Sequence, residues 1–300
     1  MTNPAAAPFH SGFVAVIGRP NVGKSTLVNL LVGEKIAIVS PRPQTTRNRI
    51  MGVVNQQDAQ IVLLDTPGIH KPKTRLGDYM SKSINDAMQG IDGLLVMVDA
   101  SDIRQADHSI AQTYAKSDLP NFLVINKIDL VHPQDLLAII QGFSQYPFQA
   151  ILPISARKAD GTDTLLRELT AILPEGPKYF PDDMMTDQPE RVLCAEIIRE
   201  KALMYLNEEV PHGIGVEILS IKSPNENFTE IHASIYCERE SHKRIIIGKH
   251  GSMIQKIGSA ARKDIEGLLG VHVHLDVWVK VRPGWRDSLA DLRTLGYSEN

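Results

Sequence analysis

Three hundred residues with 43% apolar content are enough for two packed domains, and a formal charge of −3 excludes a polycation. Any nucleic-acid contact must therefore come from a local basic patch. The two cysteines, Cys194 and Cys237, have no Cys-x-x-Cys spacing. They exclude a disulfide framework or zinc ribbon and read as buried thiols in a reducing cytosol.

Residues 1–11 are rich in Ala and Pro and read as a disordered arm without a leader pattern. No apolar run reaches the ~20 residues that a membrane span needs, so the chain reads as soluble. Residues 13–17 form an apolar strand that runs into GRPNVGKS at 18–25, a match to G-x-x-x-x-G-K-[ST]. A chain of this length meets that pattern by chance in roughly one case in a hundred. The loop reads as a phosphate cradle made of Gly18, Arg19, Pro20, Asn21, Val22 and Gly23, continued by Lys24, Ser25 and Thr26 at the start of a helix. Glycines let the backbone approach phosphate oxygens, and the helix N-terminus attracts them. Lys24 is placed to reach the β- and γ-phosphates, and Ser25 to give its hydroxyl to Mg²⁺. Residues 49–54 read as an antiparallel edge strand, and 61–64 as another apolar strand ending in Asp65, Thr66, Pro67 and Gly68. A carboxylate there can hold Mg²⁺ through water, and Gly68 leaves an N–H for the γ-phosphate. Ile69 stands where Ras-type enzymes carry a water-orienting glutamine, and it cannot hydrogen-bond a water.

Further apolar strands are expected at 94–98, 122–125 and 151–154, with helices around 76–88, 106–116 and 162–172. Strands apolar on both faces and alternating with helices predict a doubly wound, mostly parallel α/β domain over 12–174. Asn126, Lys127, Ile128 and Asp129 follow the fifth strand. A carboxylate at Asp129 can accept from the two adjacent N–H donors of guanine, a pair that adenine lacks, so the base is guanine. Ser155 and Ala156 resemble the last loop of this fold, which covers the base. Residues 175–189, with repeated prolines and little periodicity, read as a linker.

The remainder, 190–300, reads as helix, strand, strand, helical region, strand, a small α+β domain. Alternation at Ile231, Ala233, Ile235 and Cys237 and at Val271, Val273, Leu275, Val277, Val279 and Val281 marks strands with one buried face. Between them, Ile247-Gly248-Lys249-His250-Gly251 precedes a helical pattern at 252–269. This resembles the G-x-x-G loop of a bacterial-type KH domain, type II, which clamps single-stranded RNA. Lys243, Arg244, Lys249, His250, Lys256, Arg262 and Lys263 supply a moderate basic patch, diluted by Glu238, Glu240, Asp264 and Glu266. Trp278 and Trp285 are candidates for base stacking, or else aromatics packing their own domain. His272 and His274 read as exposed strand residues.

The order GRPNVGKS, DTPG, NKID, SAR, with SPRPQTTRNRI at 40–50, EIIRE at 196–200 and LDVWVKVRPGW at 275–285, resembles the Era branch of the translation-factor-related GTPases over residues 12–298. The resemblance implies Thr46, rather than Thr45, as a Mg²⁺ ligand beside Ser25 and Asp65. It also implies a K⁺ ion held by Asn21 that stands in for an arginine finger. It further implies a monomeric, cytoplasmic GTPase that binds GTP, GDP and the 3′ end of small-subunit ribosomal RNA while the 30S subunit assembles, with peripheral contact to the inner membrane. Catalysis would fall to Lys24, Thr46, Asp65 and Gly68, with the nucleotide gating access to RNA. Two other readings fit the residues. One is an RNA scaffold that holds guanine nucleotide and barely hydrolyses it; the other is a GTPase whose last domain binds protein or membrane.

Overall fold

A computed structural model describes residues 8–42, 44–207 and 210–297. The expected N-terminal arm, up to residue 7, and the last three residues of the tail lie outside them. The chain divides into two compact units: Met1–Ala37, Thr46–His70 and Ser81–Asp187 form the first, and Ile38–Thr45, Lys71–Met80 and Gln188–Asn300 the second.

The elements in chain order are β1 (His10–Gly18), α1 (Lys24–Val32), β2 (Ile50–Asn55), β3 (Ala59–Asp65), α2 (Arg75–Ala87), β4 (Gly93–Asp99), α3 (Gln105–Tyr114), β5 (Asn121–Asn126), α4 (Pro133–Phe143), β6 (Ala150–Pro153) and α5 (Thr162–Ile172). Then follow α6 (Glu190–Tyr205), β7 (Gly215–Asn225), β8 (Phe228–Cys237), α7 (Glu240–Ile247), α8 (Ser252–Leu269), β9 (His272–Val281) and α9 (Leu289–Thr294).

In the first unit six strands run β2-β3-β1-β4-β5-β6, and only β2 is antiparallel to its neighbour. Alternate side chains feed two cores. Val14, Val16, Ile61, Leu63, Leu95, Met97, Phe122 and Val124 fill one. Ala15, Ile17, Val62, Leu64, Leu94, Val96, Leu123 and Ile125 fill the other. That double burial is why the strands read as unbroken apolar runs. Strand order reverses around β1, so the loops after β1, β3 and β5 share the crevice at the strands' carboxyl ends.

Residues 175–189, expected as a linker, contain no helix or strand, yet much of the segment is tied to the first unit. Buried Gln60 accepts from the amides of Tyr179 and Phe180 at 2.9 and 3.0 Å and donates to the Phe180 carbonyl at 2.9 Å. Val53 N–H donates to the Met185 carbonyl at 2.9 Å, which covers the edge strand β2. Helix α4 was not expected. Pro133 opens it, Leu136, Ile139, Ile140 and Phe143 pack inward, and Leu137 is left 67% exposed.

In the second unit β7 and β8 are antiparallel and β9 joins β8 in parallel, in the order β7-β8-β9. Helices α6 and α8 supply Ile197, Ile198, Ala202, Ile257, Ala261 and Ile265 to the core beneath one sheet face. Cys194 and Cys237 are buried free thiols, as expected. The charged residues on α6 hold the unit's own segment 38–45: Glu200 accepts from Val39 N–H at 2.9 Å, and Arg199 donates to the Thr45 carbonyl. The triplet Ile245, Ile246 and Ile247 ends helix α7, whose two turns are too short to show a period in sequence.

Candidate functional site

The first unit gathers four loops. Helix α1 starts directly at Lys24, with Gly23 at its N-cap. Buried Lys24 donates its Nζ to the carbonyls of Gly18 and Arg19 at 3.2 and 3.1 Å, so the amine is folded over the loop that it follows. Burial lowers its pKa to about 8, partly offset by the charge on Asp65. Burial also raises the pKa of Asp65 to about 6, against the pull of Lys24, Ser25 and Thr46.

Three oxygen-bearing side chains meet beside Lys24. Ser25 Oγ donates to Asp65 Oδ2 at 2.6 Å and lies 2.9 Å from Thr46 Oγ1, which is 3.4 Å from the same carboxylate oxygen. Hard oxygens at this spacing suit Mg²⁺, and Asp65 Oδ1 makes no hydrogen bond among the described residues. Thr45, by contrast, bonds Ser40 Oγ and the Arg42 carbonyl within its own segment.

Gly68 lies against the first loop. A Cβ there would sit 2.5 Å from Pro20 N, so only glycine allows this approach. Ile69 N–H donates to the Gly18 carbonyl at 3.0 Å, and its side chain packs into the core. Thr66 is fully buried with its hydroxyl on the Val16 carbonyl, and Pro67 is buried as well. Asn21 takes φ 64° in the exposed part of the loop. Thr26 is half-buried on α1. Arg19 turns elsewhere: its guanidinium bonds Asp107 at 2.7 Å and the Asp102 carbonyl at 2.5 Å, so only its backbone belongs to the loop.

Asn126 ties the remaining loops together. Its Nδ2 donates to the Val22 carbonyl at 2.8 Å, and its Oδ1 accepts from Ala156 N–H at 2.9 Å. Lys127 is left-handed, φ 66°, and pairs with Asp99 at 2.5 Å. Ile128 N–H donates to the Ile154 carbonyl at 3.2 Å. Asp129 accepts from Ser155 Oγ at 2.6 Å; that bond, helped by Lys158 and Arg157, holds the carboxyl below its usual range. It is therefore an ionised, accessible acceptor at neutral pH. Lys158 and His70, whose Nδ1 lies 2.9 Å from the Gly68 carbonyl, were not singled out in sequence because neither belongs to a short motif; Arg157 closes the SAR motif but was given no role there.

The second unit holds a different site. Gly248 takes φ 74°, and a Cβ there would lie 2.8 Å from Met253 N. His250 and Gly251 are also left-handed, at φ 51° and 78°. Beside this loop α8 and β9 enclose a groove of about 260 Å³, lined by Ile254, Gln255, Gly258, Ser259, Arg262, Leu275 and Val277. Of the expected RNA residues only Arg262 lines it. Arg244, Lys249, His250 and Lys263 are exposed, and Lys243 and Ile247 are half-buried. Lys256 lies over the Tyr205 ring at 4.3 Å. The apolar wall was missed because its residues read as core. The Cβ position of Gly258 faces open space, which leaves α8 backbone accessible in the groove. Trp285 is not a stacking residue: it is fully buried, and its indole N–H donates to the Gly213 carbonyl at 3.0 Å. Trp278 is exposed.

Comparison with known proteins finds a family match in each unit. Residues 13–127 match the model of a 50S ribosome-binding GTPase family, and residues 209–286 that of the KH domain. A relative from Ruminiclostridium cellulolyticum, GTPase Era, is 53% identical over 97% of this chain and 99% of its own. GTPase Era from Clostridioides difficile is 51% identical, again over 97% of this chain and 99% of its own. A crystal structure of Era in complex with MgGDPNP and nucleotides 1506-1542 of 16S ribosomal RNA superposes with TM-score 0.93. It shares 43% identity and covers 97% of this chain and 100% of its own. A point variant of Aquifex aeolicus Era bound to GDP.AlF4- gives TM-score 0.92 at 43% identity, with the same coverage.

Proposed function

The chain belongs to the Era family of GTPases, and from that premise we propose that it couples GTP hydrolysis to binding the 3′ end of small-subunit ribosomal RNA during 30S assembly. It is a P-loop GTPase followed by a KH domain. Two facts support the RNA reading: the relative crystallised with nucleotides 1506-1542 of 16S ribosomal RNA, and the loop-and-groove geometry of the second unit. The observation that carries the proposal is the presence, in one chain, of an oxygen cluster beside a buried lysine and a G-x-x-G loop beside an open groove.

Ser25, Thr46 and Asp65 would hold Mg²⁺, which neutralises charge on the phosphates when bound. Lys24 gives up two backbone carbonyls for phosphate oxygens. Gly68 offers its N–H at the γ-phosphate, and in-line attack by water develops charge that Lys24 and the loop amides stabilise. Ile69 orients no water, so hydrolysis is slow until something else does. We assign that part to the assembling subunit; Asn21 would help hold K⁺, whose charge beside the phosphates would stand in for an arginine finger. Asp129 selects guanine, with Ser155 fixing its carboxylate and Ala156 closing the pocket. Gly18, Arg19, Pro20, Val22, Gly23, Thr26, Thr66, Pro67, Lys127 and Ile128 serve through backbone or support. In the second unit the GKHG loop clamps RNA backbone while Arg262 and the apolar wall take bases. Lys243, Arg244, Lys256 and Lys263 add long-range attraction.

Among the described residues no helix is long and apolar enough to cross a membrane. We place the protein in the cytoplasm as a monomer; peripheral contact with the inner membrane rests on the family resemblance alone. The test is RNA binding by the intact chain carrying Gly248→Asp and Gly251→Asp. Loss of binding to an oligoribonucleotide with the 3′ end of 16S RNA, at unchanged GTP affinity, is expected. Unchanged RNA affinity would return the second unit to a protein or membrane role.

A further inference from the structure

The sheet face of the second unit opposite its helices carries side chains that neither site uses. Register puts Glu217, Ser234 and Trp278 in one row, Ser220, His232 and Asp276 in the next, and Lys222, Glu230 and His274 in a third. Side chains alternate along a strand, so Trp278 points away from Leu275 and Val277, which line the groove. Trp278 is 45% exposed. The His232 ring stacks on it, with centroids 5.5 Å apart and 28° between planes.

Two of the three acids of this face, Glu217 and Asp276, are engaged. Glu217 accepts from the Tyr236 hydroxyl at 2.6 Å. Asp276 Oδ2 lies 3.3 Å from His232 Nδ1 and 3.5 Å from His274 Nε2. Glu230 stands in register with Lys222 and His274. Arg282, paired with Asp291, lies 4.2 Å from the Tyr236 ring centroid, and Lys280 lies 6.0 Å from it. An open aromatic pair beside cations suits an unstacked base and its phosphate better than an apolar or acidic peptide. Stacking on a bare sheet face is also how some sheet modules read RNA. Strand β9 is an edge strand, so its free edge leads from the groove on one face to Trp278 on the other. A G-x-x-G loop clamps about four nucleotides, far fewer than the RNA held by the crystallised relative.

We propose that Trp278, backed by His232, is a second RNA contact: a platform on which an unpaired base flanking the groove-bound segment stacks. This rests on the RNA-binding reading above. The chain has two tryptophans and Trp285 is fully buried, so quenching of intrinsic fluorescence on adding RNA reports on Trp278. The experiment titrates the intact chain with two single-stranded oligoribonucleotides from the 3′ end of 16S RNA, one filling only the groove and one several nucleotides longer. The longer RNA is expected to quench fluorescence strongly. Trp278→Ala should lose about 5- to 100-fold affinity for it, with the short RNA unaffected and Trp278→Phe recovering part of the loss. Equal affinity of wild type and Trp278→Ala for the longer RNA overturns the platform alone. If the wild-type chain binds neither RNA, the RNA-binding reading falls and the platform with it.

Discussion

Asn126→Ala separates a structural tether from a nucleotide contact. The side chain is 2% exposed and makes two hydrogen bonds, to the Val22 carbonyl and from Ala156 N–H. Truncation leaves both backbone groups without these partners. A buried polar group left unpaired costs about 1–3 kcal/mol, so the pair costs about 2–6 kcal/mol. For a unit of this size each kcal/mol moves the melting midpoint by about 2–4 °C, which predicts a fall of about 4–24 °C. Asn126→Asp should do no better. It keeps the acceptor for Ala156 but turns a carboxylate oxygen toward the Val22 carbonyl. The assay is calorimetric unfolding of the nucleotide-free chain, alongside titration with a fluorescent GDP. A midpoint within about 1 °C of wild type, together with lost GDP affinity, would refute the tether and leave Asn126 acting on the ligand only.

Gly68→Ala pushes a methyl into the Pro20 backbone, 2.5 Å away at its nearest atom. Overpacking of about 1–3 kcal/mol should displace this loop. Hydrolysis should fall while GDP affinity, measured by titration, stays near wild type. Asp129→Asn exchanges an acceptor for a donor, so GTP affinity should drop about 10- to 100-fold and xanthosine triphosphate should bind better, as competition binding would show. Burial raises the Asp65 pKa to about 6, so the folded state takes up its proton more readily than the unfolded chain. In metal-free protein the cost of the charged form is present above about 6 and relieved as pH falls through it. Denaturation at a series of pH values should therefore show a component of stability that grows from neutral pH toward pH 4–5 and disappears in Asp65→Asn. Mg²⁺ affinity should weaken over the same window. Burial pushes the Cys194 thiol up to about 12 and raises that of Cys237, so a thiol reagent should label neither until the chain unfolds.

The chemistry-bearing loops were legible because each motif needs particular residues at fixed spacing after a strand. The parallel sheet was legible because Val14 to Ile17 feed two cores in alternation, leaving no polar face. Other features depend on partners distant in sequence. Nothing near Gln60 announces that its amide captures residues 179 and 180, so an ordered strap read as a linker. Arg19 looked like a phosphate ligand because it sits in the loop; its partner Asp107 lies on α3. The groove was hidden for the opposite reason. Its wall is built from Ile254, Leu275 and Val277, and periodicity marks such residues as apolar without telling core from cleft. Trp278 and Trp285 were equivalent in sequence, and only strand direction and the Gly213 bond set them apart.

The most direct test of one chain acting as an RNA-responsive GTPase is steady-state GTP hydrolysis in K⁺ buffer, with and without an oligoribonucleotide carrying the 3′ end of 16S RNA and with Lys24→Ala as the blank. A turnover well above the blank that rises clearly when RNA is bound is the predicted result. Turnover at the blank's level, or a rate indifferent to RNA shown to be bound, would contradict the coupling and favour a nucleotide-holding RNA scaffold.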